Sequence, residues 1–305
     1  MLKKILQSIF VIMLLMAAFP MTASADMGPK PSVVIDFEGL SGETYYVTLL
    51  SSVESTGPYS ALSYHYQLDS RHVDDREWFY GDEKDYPINR KFIEFQDLDG
   101  YYYLLYLQNC SETHRFSWTY YPPPNFKILL YFPEKDSYMV SEVTYDKYAF
   151  DSYFTATIRK EIQPTTSYNG GIEVRESYDY RGEVFSLIAR IILTIAIEVL
   201  IALLFVFRKK KQLLFILAVN LVTQIALNIA LNLINFNYGH MAFVFFYVVL
   251  ELAVFIIEAV LYTVFLRKIN EAEIPKWRTI TYALVANAAS FAAGIGLAYM
   301  IPGIF

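Results

Sequence analysis

The chain has 305 residues, 55% hydrophobic and 18% charged, against roughly 45–50% and about 25% in soluble domains. That imbalance excludes an ordinary soluble enzyme as the first expectation. The net charge of −6 is a sum of unlike parts: residues 1–25 hold two Lys and no acid, residues 26–182 carry a net of −11, and residues 183–305 a net of +3.

Lys3 and Lys4 precede an apolar run from Ile5 to Phe19, and Ala23-Ser24-Ala25 supplies small residues at a cleavage point. These are the three parts of a secretory signal peptide over residues 1–25, which implies export of the segment beginning at Asp26. Cys110 is the sole cysteine, so no intramolecular disulfide is available to the exported segment. A lone cysteine beside Asn109 reads as a small buried hydrophobe rather than a nucleophile.

Residues 26–161 read as an extracellular all-β sandwich of the immunoglobulin-like kind. Short runs rich in Tyr, Phe, Val and Thr recur every 8–12 residues or so with turns between them. They are Val33–Phe37, Tyr45–Leu50, Ser63–Gln67, Phe92–Phe95, Tyr101–Leu107, Phe116–Tyr120, Phe126–Phe132, Met139–Val143 and Tyr153–Ile158. Asp97-Leu98-Asp99-Gly100 fails as a calcium loop because Phe95 and Tyr106 occupy ligand positions, and reads instead as a hairpin turn. His65, Asp69, His72, Asp74 and Asp75 have metal-ligand chemistry at a spacing that fits no defined site. Tyr45-Tyr46, Tyr101-Tyr102-Tyr103 and Tyr120-Tyr121 would serve strand packing first and an envelope ligand second. Residues 162–182 read as a short connector.

From residue 183 to 305 four apolar stretches, about 184–207, 212–236, 241–266 and 279–302, are each long enough to cross about 30 Å of hydrocarbon. Arg208, Lys209, Lys210 and Lys211 follow the first, and Arg267, Lys268, Lys276 and Arg278 separate the third from the fourth, whereas residues 237–240 contain no Lys or Arg. The positive-inside rule puts both basic loops in the cytoplasm and the β-rich part and the C-terminus outside. The expected place is a bacterial cell membrane, crossed several times. The basic loops set topology and meet lipid head groups, with no role for nucleic acid.

Carboxylates interrupt the apolar spans: Glu198 in the first, Glu251 and Glu258 in the third. A charge there costs several kcal/mol unless it is buried against a partner or neutralised. Glu251 and Glu258 are seven residues apart and share one helix face. Asn220, Gln224 and Asn228 make a stripe in the second span, with Thr223 alongside, and Asn287, Ser290 and Gly294 make one in the fourth. Lipid offers such groups no hydrogen-bond partners, so the stripes should converge in an α-helical four-transmembrane bundle. Arg190 lies two turns outward of Glu198. The amides alone would serve as interhelical glue, whereas three carboxylates point to a coupling or binding site.

Intramembrane protease chemistry lacks its parts: no H-E-x-x-H helix, no Asp in the spans, no His near Ser290. There is no phosphate-cradling P-loop, and no catalytic residue, metal or cofactor is expected. The segment Ala25-Asp26-Met27-Gly28-Pro29-Lys30-Pro31-Ser32, the stretch Tyr148-Ala149-Phe150-Asp151-Ser152 and the Glu- and Asn-bearing spans resemble exported membrane proteins of Firmicutes. The resemblance implies localisation and architecture and supplies no site residues. The residues lead to a transporter or ion-coupled sensor, working as a homo- or hetero-oligomer because four helices make a narrow pore. A membrane-anchored extracellular binding or assembly protein, or an auxiliary subunit of a larger transporter, is the alternative.

Overall fold

The computed structural model describes residues 28–56, 61, 63, 83–159, 167–169, 171–269 and 274–300. The expected signal peptide, the His65–Asp75 cluster and the strand at Ser63–Gln67, apart from Ser63, lie outside the described residues.

Strand alternation organises the N-terminal half. The strands are β1 (Ser32–Glu38), β2 (Tyr46–Ser51), β3 (Tyr102–Tyr103), β4 (Gln108–Asn109), β5 (Arg115–Trp118), β6 (Asn125–Phe132), β7 (Ser137–Val140), β8 (Tyr145–Asp146), β9 (Asp151–Ile158), β10 (Ser167–Asn169) and β11 (Ile172–Glu176). One sheet has the order β11-β9-β1-β5, with β1 and β9 parallel. The other runs β10-β7-β6-β2-β3, with β4 added to β2 and β8 to β6. Val33, Ile35 and Phe37 of β1 and Phe154, Ala156 and Ile158 of β9 meet Phe126, Ile128, Leu130 and Phe132 of β6 in one buried core. Each set comes from alternate positions of its strand, so the pleat turns all of them to one face.

The expected all-β unit contains a helix. Residues Phe92–Phe95, read as a strand, belong largely to α1 (Tyr86–Glu94), which starts with Pro87 in its first turn. Proline is pre-organised there and cannot serve a central strand. Phe92 stacks on Tyr103 at 5.3 Å, and Asn89 accepts a hydrogen bond from the Tyr103 hydroxyl (2.8 Å). Tyr46, Tyr131 and Tyr138 pack under the same helix face, and the Tyr46 hydroxyl donates to Asp85 (2.7 Å). Of the tyrosines considered as a ligand platform, Tyr46, Tyr101 and Tyr103 thus lie in the cluster under the chain's own helix, Tyr45 is buried between the sheets, and Tyr121 is exposed.

Asp97–Gly100 is a tight turn, closed by the Gly100 amide donating to the Asp97 carbonyl (3.1 Å). It links α1 to β3 and so is not a hairpin between two strands. Its carboxylates hold a cation that belongs to the protein: Lys127 Nζ donates to both Asp97 oxygens (3.1 and 3.0 Å) and to Asp99.

Part of the connector at 162–182 is strand. β11 pairs with β9 from Ile172↔Ile158 to Glu176↔Phe154, leaving only Ser177, Tyr178 and Asp179 before the first long helix. That helix, α2 (Tyr180–Leu204), is capped by the Asp179 side chain, which accepts from the Gly182 amide (2.9 Å).

Among the described residues three helices are long and apolar enough to cross a membrane: α2, which contains an 18-residue stretch of mean hydropathy 2.6; the 60-residue run Lys210–Ile269, with such a stretch at 2.5; and Lys276–Gly296, with one at 1.3. The second begins as α3 (Lys210–Leu261) and passes through a π-helical turn at Tyr262–Leu266; the third is the main part of α4 (Lys276–Met300). As one straight rod the 60-residue run would be about 90 Å long. It is not straight, because Gly239 adopts φ 80°, ψ 176° and interrupts the helix. Thr223 then bonds Glu258 (2.7 Å) and Asn220 bonds Tyr262 (3.0 Å), pairs that a continuous helix would hold more than about 50 Å apart. The run is therefore an antiparallel hairpin of two arms.

The β-rich half is seated on the tip of this hairpin. The Phe150 amide donates to the Phe236 carbonyl (2.8 Å), and Tyr148 and Tyr178 pack on the Phe236 ring (6.3 and 5.4 Å). The Phe150 ring lies over Gly239, where a Cβ would come within 2.5 Å of it. Gly239→Ala should destabilise the protein by about 1–3 kcal/mol through the backbone region alone, and further through the clash with Phe150. Phe150→Ala should relieve the clash and not the backbone strain, so thermal unfolding of the double variant in detergent should show less than the sum of the two losses. A strictly additive cycle would refute the contact.

Candidate functional site

The polar residues of the helices fall into two layers. The deeper one gathers Glu198 of α2, Asn220 and Thr223 of the first arm, Glu258 and Tyr262 of the second, and Tyr282 and Asn287 of α4. Helical spacing puts them on inward faces: Asn220 and Thr223 are one turn apart, and Glu258 and Tyr262 are also one turn apart. The Glu258 carboxylate is satisfied at both oxygens, one accepting from the Thr223 hydroxyl (2.7 Å) and the other from the Asn287 amide (2.8 Å). These are cross-helix bonds of the kind expected from the stripes.

Glu198 is different. It is 0% exposed, and neither of its carboxyl oxygens makes a well-formed hydrogen bond. The Asn220 side chain faces it and Glu258 lies within electrostatic reach. Asn220, however, directs its amide hydrogens to the Ile216 carbonyl (3.0 Å) and the Tyr262 hydroxyl (3.0 Å). The Asn220 and Asn287 side-chain oxygens also lack a donor. Among the described residues the deep layer is thus rich in buried acceptors and poor in donors. The Tyr282 hydroxyl donates to the Glu198 backbone carbonyl (3.3 Å). Tyr262 opens the π-helical turn, the kind of helix irregularity often found at functional positions.

The second layer lies nearer the β-rich half. Gln224, Asn228, Glu251 and Ser290 line a narrow cavity together with Arg190, Thr194 and Tyr247, so every helical segment contributes. A water-sized sphere has about 20 Å³ in which to place its centre there, room for one water molecule. Asn228 donates to the Gln224 carbonyl (2.8 Å) and Ser290 to the Ala286 carbonyl (3.0 Å), both within their own helices. These two contribute no cross-helix bond through those donors, unlike the glue expected of the amide stripes. The candidate residues therefore divide, with Glu198, Asn220, Glu258 and Asn287 in one layer and Gln224, Asn228, Glu251 and Ser290 in the other.

Tyr282, Tyr247 and Thr194 were not legible as site residues, although Tyr247 is one turn from Glu251 and Thr194 one turn from Glu198. The described residues contain no group of three His, Cys, Asp or Glu arranged to hold a metal ion. Compared with known proteins, the chain matches no family model, no curated protein and no solved structure.

Cys110 lies far from these layers, in the core between the sheets, and burial pushes its thiol up to about 12. The thiol is neutral below that value, so the nucleophilic thiolate is scarce at neutral pH. At pH 8 in the folded protein, maleimide labelling of Cys110 should be about a thousandfold slower than for a free thiol near 8.5. Labelling should recover in denaturant, and rapid labelling of the folded protein would show the thiol to be accessible.

Proposed function

We propose that the chain is a multi-pass bacterial plasma-membrane protein whose helices cross four times and enclose a proton-binding Glu/Asn site that serves ion-coupled transport or sensing. Four crossings result from reading each arm of the broken 60-residue run as one span, since the arms run antiparallel through the Thr223–Glu258 and Asn220–Tyr262 bonds. The β-rich half contacts the hairpin tip, where residues 237–240 carry no Lys or Arg. The basic residues Arg208–Lys211 and Arg267–Arg278 occupy the opposite ends of the helices. That distribution supports an external immunoglobulin-like domain and internal basic loops, with the leader at residues 1–25 as the export signal. Membership of an exported Firmicute group and assembly into oligomers belong to the same reading.

The observation that carries the proposal is the Glu198 carboxyl, fully buried with neither oxygen in a well-formed hydrogen bond. An ionised carboxylate so placed is strongly disfavoured. A proton turns it into a donor for one of the neighbouring orphan acceptors, the Asn220 side-chain oxygen among them. Glu258, with two donors of its own, suits the ionised state. Two carboxyls in one dry layer, one suited to hold a proton and one to lack it, make a site whose occupancy can change. The small cavity at Glu251 fits a proton carried by water better than a larger solute.

Infrared difference spectroscopy on the purified protein in liposomes should show a buried carboxylic-acid carbonyl band at neutral pH, lost in Glu198→Gln and kept in Glu258→Gln. Proton uptake by the same liposomes should be abolished in Glu198→Gln and reduced in Glu251→Gln. Absence of the band in the unsubstituted protein overturns the assignment. If all three variants fold and leave proton uptake and growth unchanged, the bundle is an anchor and the external domain carries the function.

A further inference from the structure

Lys127 sits in the middle of β6 with its side chain 2% exposed, and the Asp97 side chain facing it is 1% exposed. A buried ion pair is weak evidence for stability, because taking both charges out of water offsets their attraction. This pair carries more structure than an ion pair needs. Lys127 Nζ is nearly equidistant from the two Asp97 oxygens, at 3.1 and 3.0 Å. That places the nitrogen close to the carboxyl carbon between them, the separation at which a held nucleophile attacks. Asp97 Oδ2 also accepts from two backbone amides, those of Asp99 (3.1 Å) and Tyr101 (3.3 Å). Two fixed N–H donors on one carboxyl oxygen are the arrangement that stabilises a tetrahedral oxyanion. A third group, the Asp99 carboxylate, bonds the same Nζ and is 63% exposed, so it can exchange protons with solvent. The Tyr101 ring closes over the nitrogen, its centre 5.2 Å away.

We infer that Lys127 and Asp97 condense into an intramolecular isopeptide bond, a covalent cross-link formed by the fold itself. In the step, Asp99 takes a proton from the Lys127 ammonium and passes it to the Asp97 carboxylate. The neutral amine then attacks the Asp97 carbonyl carbon, and the oxyanion is held by the Asp99 and Tyr101 amides. Asp99 removes a second proton from the nitrogen and delivers it to the departing oxygen. The N–C bond forms, one C–O bond breaks, and a single water leaves; the two opposite charges disappear together, and nothing is oxidised or reduced. The product replaces a buried ion pair with a neutral amide. It also ties the central strand β6 to the turn after α1 in a chain whose one cysteine, Cys110, is free and buried. Closing that long loop restricts the unfolded chain as a disulfide would.

The test is a tryptic digest of the full-length protein, purified in detergent and read by mass spectrometry. A cross-linked chain resists cleavage after Lys127 and yields a branched peptide joining the Lys127 and Asp97 segments, lighter by one water than the two linear peptides together. Lys127→Arg and Asp97→Ala should yield no branched species. Asp99→Asn, which leaves the nucleophile and its target in place, should lower the branched fraction severalfold. Complete cleavage after Lys127 in the unsubstituted protein, with the Asp97 peptide recovered linear, overturns the proposal whether or not the variants fold. Full branching in Asp99→Asn overturns the role given to Asp99.

Discussion

The hydrogen bond from the Phe150 amide to the Phe236 carbonyl joins the two halves of the molecule. A helix leaves its last carbonyls without partners, and Gly239, by leaving the helical region, ends the first arm just after Phe236. The turn before β9 supplies a donor to a carbonyl that the helix break sets free. Glycine is required at 239 twice over, since the backbone lies in a region that side chains rarely adopt and the Phe150 ring fills the place of a Cβ. One residue therefore folds the hairpin back and makes the seat for the β-rich half.

The site depends on that fold-back. Glu258 meets Thr223 and Tyr262 meets Asn220 only because the arms return antiparallel about Gly239. A shift of one helical residue between the arms would rotate these partners away and leave Glu258 without its Thr223 bond. Rigid links also connect the site to the sheets: β11 ends three residues before α2 begins, and α2 carries both Arg190 and Glu198. The sheets therefore meet the helices at two places, the start of α2 and the hairpin tip.

Much of this was legible from periodicity. Apolar runs located the long helices, and carboxylates and amides at helical spacing on inward faces identified the residues that converge. The same logic placed Phe126, Ile128, Leu130 and Phe132 on one face of a strand. It failed where local pattern is ambiguous. The apolar residues Phe92, Ile93 and Phe95 suit a strand as well as a short helix, and only the shelf of Tyr103 and Tyr131 settles the choice. Ile172–Glu176 was hidden among polar and glycine residues because an edge strand needs little apolar surface. The division of the site into two layers was also invisible, since stripes on separate helices carry no information about relative height.

Lys127 shows the sharpest limit. Within Asn125–Phe132 it is one polar residue in an apolar strand, and local reading gives it no role. Its partners lie about thirty positions earlier, in a turn that looks like solvent-facing punctuation. Burial alone would disfavour the charged ammonium, yet the bonds from Asp99 and Asp97 outweigh it and the Lys127 value is raised. The charged pair is thus the state in which the strand and turn meet. It is held by groups whose positions, two backbone amides and a second carboxylate, are those that also carry the pair forward to an amide. The bonds that hold the ammonium charged are the ones that must give way before the amine can attack, so the proposed amide depends on Asp99 taking the proton.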